Sequence, residues 1–419
     1  MKLAKVSLAT VVALSLGSSA YAVDLGNFKD VKVSGEAKVW YQTIENDAAN
    51  AADLFSQKSA IGDAALKLGV TGGMGDKMGY GVSVYGLDTL GLENNLVANT
   101  AAARVYKTDG SQDVAASVQT QWWAHEAYIT YKISNTLLKI GRQELDTPLA
   151  FTEDWNVVKN SFDAAVAINT DIPNVTLVGA YVGKGNGQKG TVGVNGFGYG
   201  ADATTVNGDG KFSSYVNDGA YAVGALTTFI PNVPLNLWYY NVQDVADALW
   251  ADASFKAPMG IALAGQYGYM DPKGILKAGE ETDAFGVKVS GKAAMVDLEA
   301  AYSSVSDGTL PMANTATGFK KTKLYTASIF SDGTVAAQPD TDSVKLGAST
   351  TLSGVKLAAT YGMYESGAKG LNNDVEEVDL SVGAKVLDLD LKAFYIMRDW
   401  DKATSADQDI VRIIASYSF

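Results

Sequence analysis

The stretch "DIVRIIASYSF", residues 409–419, decides the fold. Successive side chains of an extended strand point to opposite faces. Val411, Ile413, Ala415, Tyr417 and Phe419 therefore share one side, and Arg412, Ser416 and Ser418 share the other. Ile410 and Ile414 interrupt the polar side. Such a strand buries its apolar side in a sandwich or against lipid, and the rest of the chain chooses between them.

The opening "MKLAKVSLATVVALSLGSSAYA", residues 1–22, has a basic start at Lys2 and Lys5 and an apolar run over roughly Val6 to Leu16. It ends on Ala20-Tyr21-Ala22, with small residues at the offsets a signal peptidase reads, so residues 1–22 are expected to be a cleaved signal peptide. The run is too short for a spanning helix, and no later segment offers the ~20 apolar residues one needs. The 419 residues carry a net charge of −13 and include no cysteine. Disulfide frameworks, zinc–thiolate clusters and thiol nucleophiles are thereby excluded. An exported chain without a helical span is a soluble protein or a barrel.

Period-two alternation runs nearly end to end. "VKVSGEAKVWY" sets Val31, Val33, Ala37, Val39 and Tyr41 against Lys32, Ser34, Glu36 and Lys38. Strands are expected at 31–41, 62–72, 79–88, 122–132, 136–143, 162–170, 174–184, 218–230 and 234–243. Nine more follow at 249–257, 260–270, 283–292, 295–304, 343–352, 354–364, 375–386, 389–397 and 409–419. Most have the nine to eleven residues, roughly, that a tilted strand needs to cross a bilayer. Their connections alternate between short ("GGMGDK", "ISN", "DIP", "PNV") and longer, the longest at 42–61, 89–121, 144–161, 185–217 and 305–342. A sandwich has no reason for that alternation, whereas outer-membrane barrels have short periplasmic turns and long extracellular loops.

Proline cannot donate to a sheet ladder. Pro148, Pro173, Pro231, Pro258, Pro272, Pro311 and Pro339 fall in connections, and Pro234 at the first residue of a strand. Aromatics near strand ends (Trp40, Tyr41, Tyr80, Trp123, Tyr131, Tyr302, Tyr361, Tyr395, Tyr417, Phe419) suit girdles at the lipid interfaces. The fold class is therefore all-β: a transmembrane antiparallel β-barrel of about 18 strands over residues 23–419, with Phe419 at the periplasmic interface. Pairing 409–419 with 31–41 closes it and removes the edges.

The chain resembles the major outer-membrane porins of the Campylobacter type, within the OprD-like channels. The resemblance is carried by the "MKLAKVSLA" start, "VKVSGEAKVWY", "AHEAYITYKISNTLLKIGRQELDTPLAF", "NSFDAAVAINTDIPNVTLVGAYVG" and the terminal "SYSF". It implies an eighteen-stranded homotrimeric channel of the Gram-negative outer membrane, whose third long extracellular loop folds inward to narrow the pore. It also implies that outer-membrane assembly machinery reads Phe419.

That loop is "GRQELDTPLAFTEDWNVVKNS", with the inward fold at about 144–161. Glu144, Asp146, Glu153 and Asp154 outnumber Arg142 and Lys159, and carboxylates lining a narrow passage favour cations. They are expected to set selectivity more than the rim acids Glu280, Glu281, Glu365 and Asp374. Arg142 shares parity with Ile140 and would face lipid unless Gly141 permits a bulge that turns it inward. Parity places Lys38, Lys67, Glu126, Asp163, Glu377, Asp379 and Arg412 on the lumen wall.

The remaining motifs have bland readings. "GKGNGQKG" has the G-x-G-x-x-G spacing after a strand but leads into more glycine-rich loop, where a dinucleotide fingerprint needs a helix. "NGDGK", 207–211, lacks the closing acid of a calcium loop. His125, the single histidine, is expected at the rim of the aromatic girdle. No cofactor is expected beyond casual divalent cations on acidic loops. The function expected is passive diffusion of ions and small hydrophilic solutes, weakly cation-selective. A substrate-specific channel and an adhesin carried on a barrel are the alternatives. A barrel enzyme would need a base beside a nucleophile and has one imidazole available. Partners expected are outer-membrane lipid, lipopolysaccharide and the assembly machinery, with no nucleic acid.

Overall fold

A computed structural model describes residues 28–48, 50–107, 111–187, 206–214, 219–257, 260–367, 374–401 and 406–419. The expected signal peptide, Pro258 and most of the glycine-rich stretch after residue 187 lie outside them. Eighteen strands form the barrel. They are β1 Phe28–Asn46, β2 Ala60–Met74, β3 Met78–Asp88, β4 Gln121–Ile133, β5 Thr136–Gln143 and β6 Phe162–Asn169. The middle of the wall is β7 Val175–Gly185, β8 Ala220–Ile230, β9 Val233–Val242, β10 Ala246–Lys256, β11 Ala262–Pro272 and β12 Thr282–Ala293. The last six are β13 Val296–Val305, β14 Thr341–Leu352, β15 Val355–Ser366, β16 Val375–Val386, β17 Leu389–Trp400 and β18 Gln408–Ser418.

Neighbours in sequence pair antiparallel, and β1 pairs with β18 from Glu36↔Ser418 to Asn46↔Gln408, which closes the barrel. The expected boundaries agree to within three residues except at the end of β1. That strand runs five residues further because Thr43–Asn46 continues its pairing with β18. Two prolines differ slightly: Pro234 is the second residue of β9, and Pro272 ends β11. Helix is almost absent among the described residues. The one α-helical turn is Val114–Ser117, capped by the Asp113 carboxylate accepting from the Ala116 N–H.

The outer face is apolar and open: Ile129, Ile140, Leu263, Val287, Leu346 and Ile413 are all well exposed. In water such a belt would drive aggregation, and in hydrocarbon it is solvated. The densely packed clusters lie inside the lumen, between the wall and chain segments folded into it. Trp40 and Trp123, expected in the girdle, belong to this interior: Trp40 is fully buried and Trp123 is 7% exposed. Each precedes or follows an outward aromatic (Tyr41, Trp122), and two adjacent strand residues cannot share a face.

Phe419 also has a structural place. Its N–H donates to the Gly35 carbonyl at 3.0 Å, and the Gly35 N–H donates back at 2.9 Å. A Cβ at Gly35 would stand 2.2 Å from the Phe419 ring, so any larger residue there requires the ring to move. The ring also stacks on Tyr417 at 6.0 Å.

Candidate functional site

The site begins where β5 ends. Just past Gln143, the Glu144 carboxylate accepts from Lys67 Nζ of β2 at 3.0 Å and lies 2.8 Å from His125 Nε2 of β4. Lys159 Nζ reaches its second oxygen at 3.4 Å. Lys67 also pairs with Glu126 at 3.3 Å, and Ser83 donates to Glu126 at 3.0 Å. Burial pushes the Glu144 carboxyl up, but the His125 hydrogen bond and the ammonium groups of Lys67 and Lys159 outweigh it and hold it below the usual range.

His125 is thus corrected from rim to interior. It is fully buried, and it is the extra residue of a bulge between the pairs Ser83↔Glu126 and Val84↔Ala124. Ligand atoms of His125, Glu126 and Glu144 come within 4.8 Å of one another. The Lys67 ammonium already sits against both carboxylates, where a cation would otherwise go.

Arg142 lies beside this hub. Gly141 adopts φ +125°, and a Cβ there would meet the Ala127 carbonyl oxygen at 2.3 Å. Neither neighbouring strand skips a residue at that point, so the expected bulge is absent: Arg142 stays in register with exposed Ala127 and with Asp163, which stands between buried Phe162 and Ala164, and both keep the face of Ile140 rather than the lumen wall. Arg142 Nε then donates to Asp163 at 2.9 Å, Nη1 donates to the Ala124 carbonyl at 3.0 Å, and the guanidinium packs 3.4 Å from the centre of the Phe212 ring.

Beyond Glu144 the chain turns into the lumen. Leu149, Phe151, Val157 and Val158 are buried there. A second segment, between β13 and β14, folds in to meet it. Asn314 donates to the Phe151 carbonyl at 2.9 Å and accepts from its N–H at 3.2 Å, and Thr315 Oγ1 donates to the Leu149 carbonyl at 2.7 Å. Glu153 joins the two: it accepts from Asn314 Nδ2 at 3.0 Å, Trp155 Nε1 at 2.9 Å and the Thr317 hydroxyl. Burial pushes its carboxyl up, only partly offset by these donors. Glu153, 3% exposed, therefore presents no open carboxylate to permeating ions, against expectation.

Asp146 and Asp154 do stay exposed. Asp146 pairs with Lys323 at 2.9 Å. Between the segments is a cleft lined by Glu144, Asp146, Phe151, Asp154, Trp155, Lys159, Lys321, Lys323 and Asp332. Lys323 lies over the Phe151 ring at 4.5 Å, and Lys321 pairs with Asp332 at 2.9 Å. Lys38 pairs with Glu36 at 3.3 Å on the wall. Arg412 is on the lumen side but 6% exposed: it donates to Gln42 Oε1 at 3.0 and 2.8 Å and lies near the Trp40, Trp155 and Phe330 rings.

The second inward segment is what sequence reasoning missed. Its signal was available in the apolar residues of a long connection: Met312, Phe319, Leu324 and Phe330 have no reason to stand in an outer loop.

Solved structures resemble the barrel closely. The Pseudomonas aeruginosa OpdK structure with vanillate superposes with a TM-score of 0.72 at 16% identity, covering 94% of this chain and 99% of that one. OpdO from the same organism gives 0.70 at 17% identity (94% and 98%), and OccK9 (OpdG) gives 0.71 at 19% (93% and 98%). Identities this low speak for the fold alone. No curated protein sequence matches the chain. Residues 25–333 match the family described as outer membrane porin, OprD family. The narrower Campylobacter-type resemblance finds no support in these matches. With the closed eighteen-stranded barrel, the match over most of its length makes this chain a member of the OprD family of outer-membrane porins, resident in the outer membrane.

Proposed function

We propose that the chain forms a water-filled channel for passive diffusion of ions and small hydrophilic solutes, with a weak cation preference and no catalytic activity. The observation that carries the preference is at the extracellular edge of the wall. A recess there, on the outward face of β14–β17, is lined by Asp340, Asp342, Glu365, Asp374, Glu376, Asp399 and Asp401, with no lysine or arginine in its lining. A one-signed recess raises the local concentration of counter-ions. Reversal potentials across a salt gradient in planar bilayers test this: a small cation-favouring potential is expected, and zero or an anion-favouring one sinks it.

A second reading, a substrate-specific channel, is favoured by the two interlocked segments. They present Lys159, Lys321 and Lys323 opposite Asp146 and Asp154 beside two aromatic rings. OpdK, one of the structural relatives, was solved with vanillate. On this reading one class of small charged organic solute competes for passage with saturable kinetics, which the same bilayers measure as concentration-dependent block. A homotrimer embedded in lipid and lipopolysaccharide, inserted by machinery that reads Phe419, completes the proposal.

A further inference from the structure

We propose that Glu377 positions the second inward segment, acting as a latch on residues 326–331; this rests on the reading that the segment narrows the pore. Glu377 projects from β16 into the lumen and is fully buried. Oε1 accepts from the Phe330 N–H at 2.8 Å and Oε2 accepts from the Ser331 N–H at 2.7 Å. Two successive backbone N–H groups aimed at one side chain are each met by a separate oxygen of its carboxyl group.

The neighbouring wall completes the grip. Asp379, two residues along the same strand, accepts from the Ile329 N–H at 3.3 Å. Lys345 donates to the Ala327 carbonyl at 3.0 Å, and the Tyr364 hydroxyl lies 2.8 Å from the Thr326 carbonyl oxygen. Arg398 balances the latch charge from 3.3 Å. The Phe330 ring lies 5.6 Å from the Arg398 guanidinium and 5.3 Å from that of Arg412. The contacts come from five strands of the wall and converge on six consecutive residues. Lys321 and Lys323 stand a few positions earlier on the same segment, so the latch sets where those two ammonium groups sit in the cleft. Glu377 touches no permeating solute in this account; it acts through the segment.

The absence of cysteine makes the latch directly readable. Ser331 is fully buried, so Ser331→Cys should be protected from a charged, membrane-impermeant thiol reagent in otherwise unaltered protein. Glu377→Gln keeps one acceptor but turns an amide N–H toward a backbone N–H. In that background labelling should be about tenfold faster or more. Single-channel currents should then become noisier and larger, while the heat-modifiable barrel is retained. Phe330→Ala, which removes the ring from between the two guanidinium groups, serves as a second opening variant if Glu377→Gln fails to assemble. Equal labelling rates with and without the opening substitution, or Ser331→Cys reacting as fast as Asp307→Cys on the exposed rim, overturn the latch. Labelling reads segment release whatever the solute, so the latch and the permeation reading fail separately.

Discussion

The inward segments and the extracellular rim are both rich in acids, yet their carboxylates do opposite things. Glu144 is paired with two lysines and hydrogen-bonded to a histidine, and Glu153 is buried among three donors. At the rim, seven acids line one recess without a base among them. The composition is similar and the field is different. A carboxylate steers ions only while it is open to water and unmatched, so on the proposed reading the cation preference is expected from the extracellular edge more than from residues 144–161.

Neutralising that edge should have the largest effect. Replacing Glu365, Asp374, Asp399 and Asp401 by their amides is expected to remove most of the cation preference at 0.1 M salt. It should change little at 1 M, where the screening length falls to about 3 Å. Replacing Glu144, Asp146, Glu153 and Asp154 should shift it less. A larger shift from the second set would reverse the comparison.

Smaller, and structural rather than electrostatic, is the effect expected of Glu153→Gln. It places an amide N–H among donors that all point inward, at a cost of about 1–3 kcal/mol. Limited proteolysis should then cut between β5 and β6 or between β13 and β14 while the wall stays intact. Resistance equal to that of the parent protein would show that Glu153 does not tie the segments together.

The smallest effect expected is that of mild acid on the Glu144 hub. Its carboxyl is held below the usual range, so the stability it contributes is present above the ordinary glutamate value of about 4.3 and is lost only as pH falls through the lowered value. The conductance difference between Glu144→Gln and the parent should therefore persist from about pH 7 to about pH 4.5. Disappearance of that difference across this window would mean the lysines and His125 do not hold the charge.

The barrel was legible because lipid imposes a rule on every strand. Each outward residue must be apolar and every backbone group paired, and alternation with short and long connections records both requirements. The interior follows no such rule. Ile410 and Ile414 looked like defects on a polar face; Ile410 is fully buried, and Ile414 packs beside the Trp40 cluster under chain folded into the lumen. His125 was misplaced because a bulge shifts parity by one residue, and a bulge leaves no reliable mark in composition. At Gly141 the sequence suggested a bulge, and the register runs through without one. The contacts of Glu153 and Glu377 join positions more than forty residues apart, and no local pattern encodes such pairings.

The seam between β1 and β18 has a kinetic meaning. All other pairings in the wall join strands adjacent in the chain and can form as hairpins, one after another. The seam joins residues 36–46 to residues 408–418 and has no local precursor. Until it forms, the growing sheet has two free edges, and edges cannot be left unpaired in hydrocarbon. Insertion should therefore end in one cooperative, slow step of high contact order, whatever the pace of the hairpins before it.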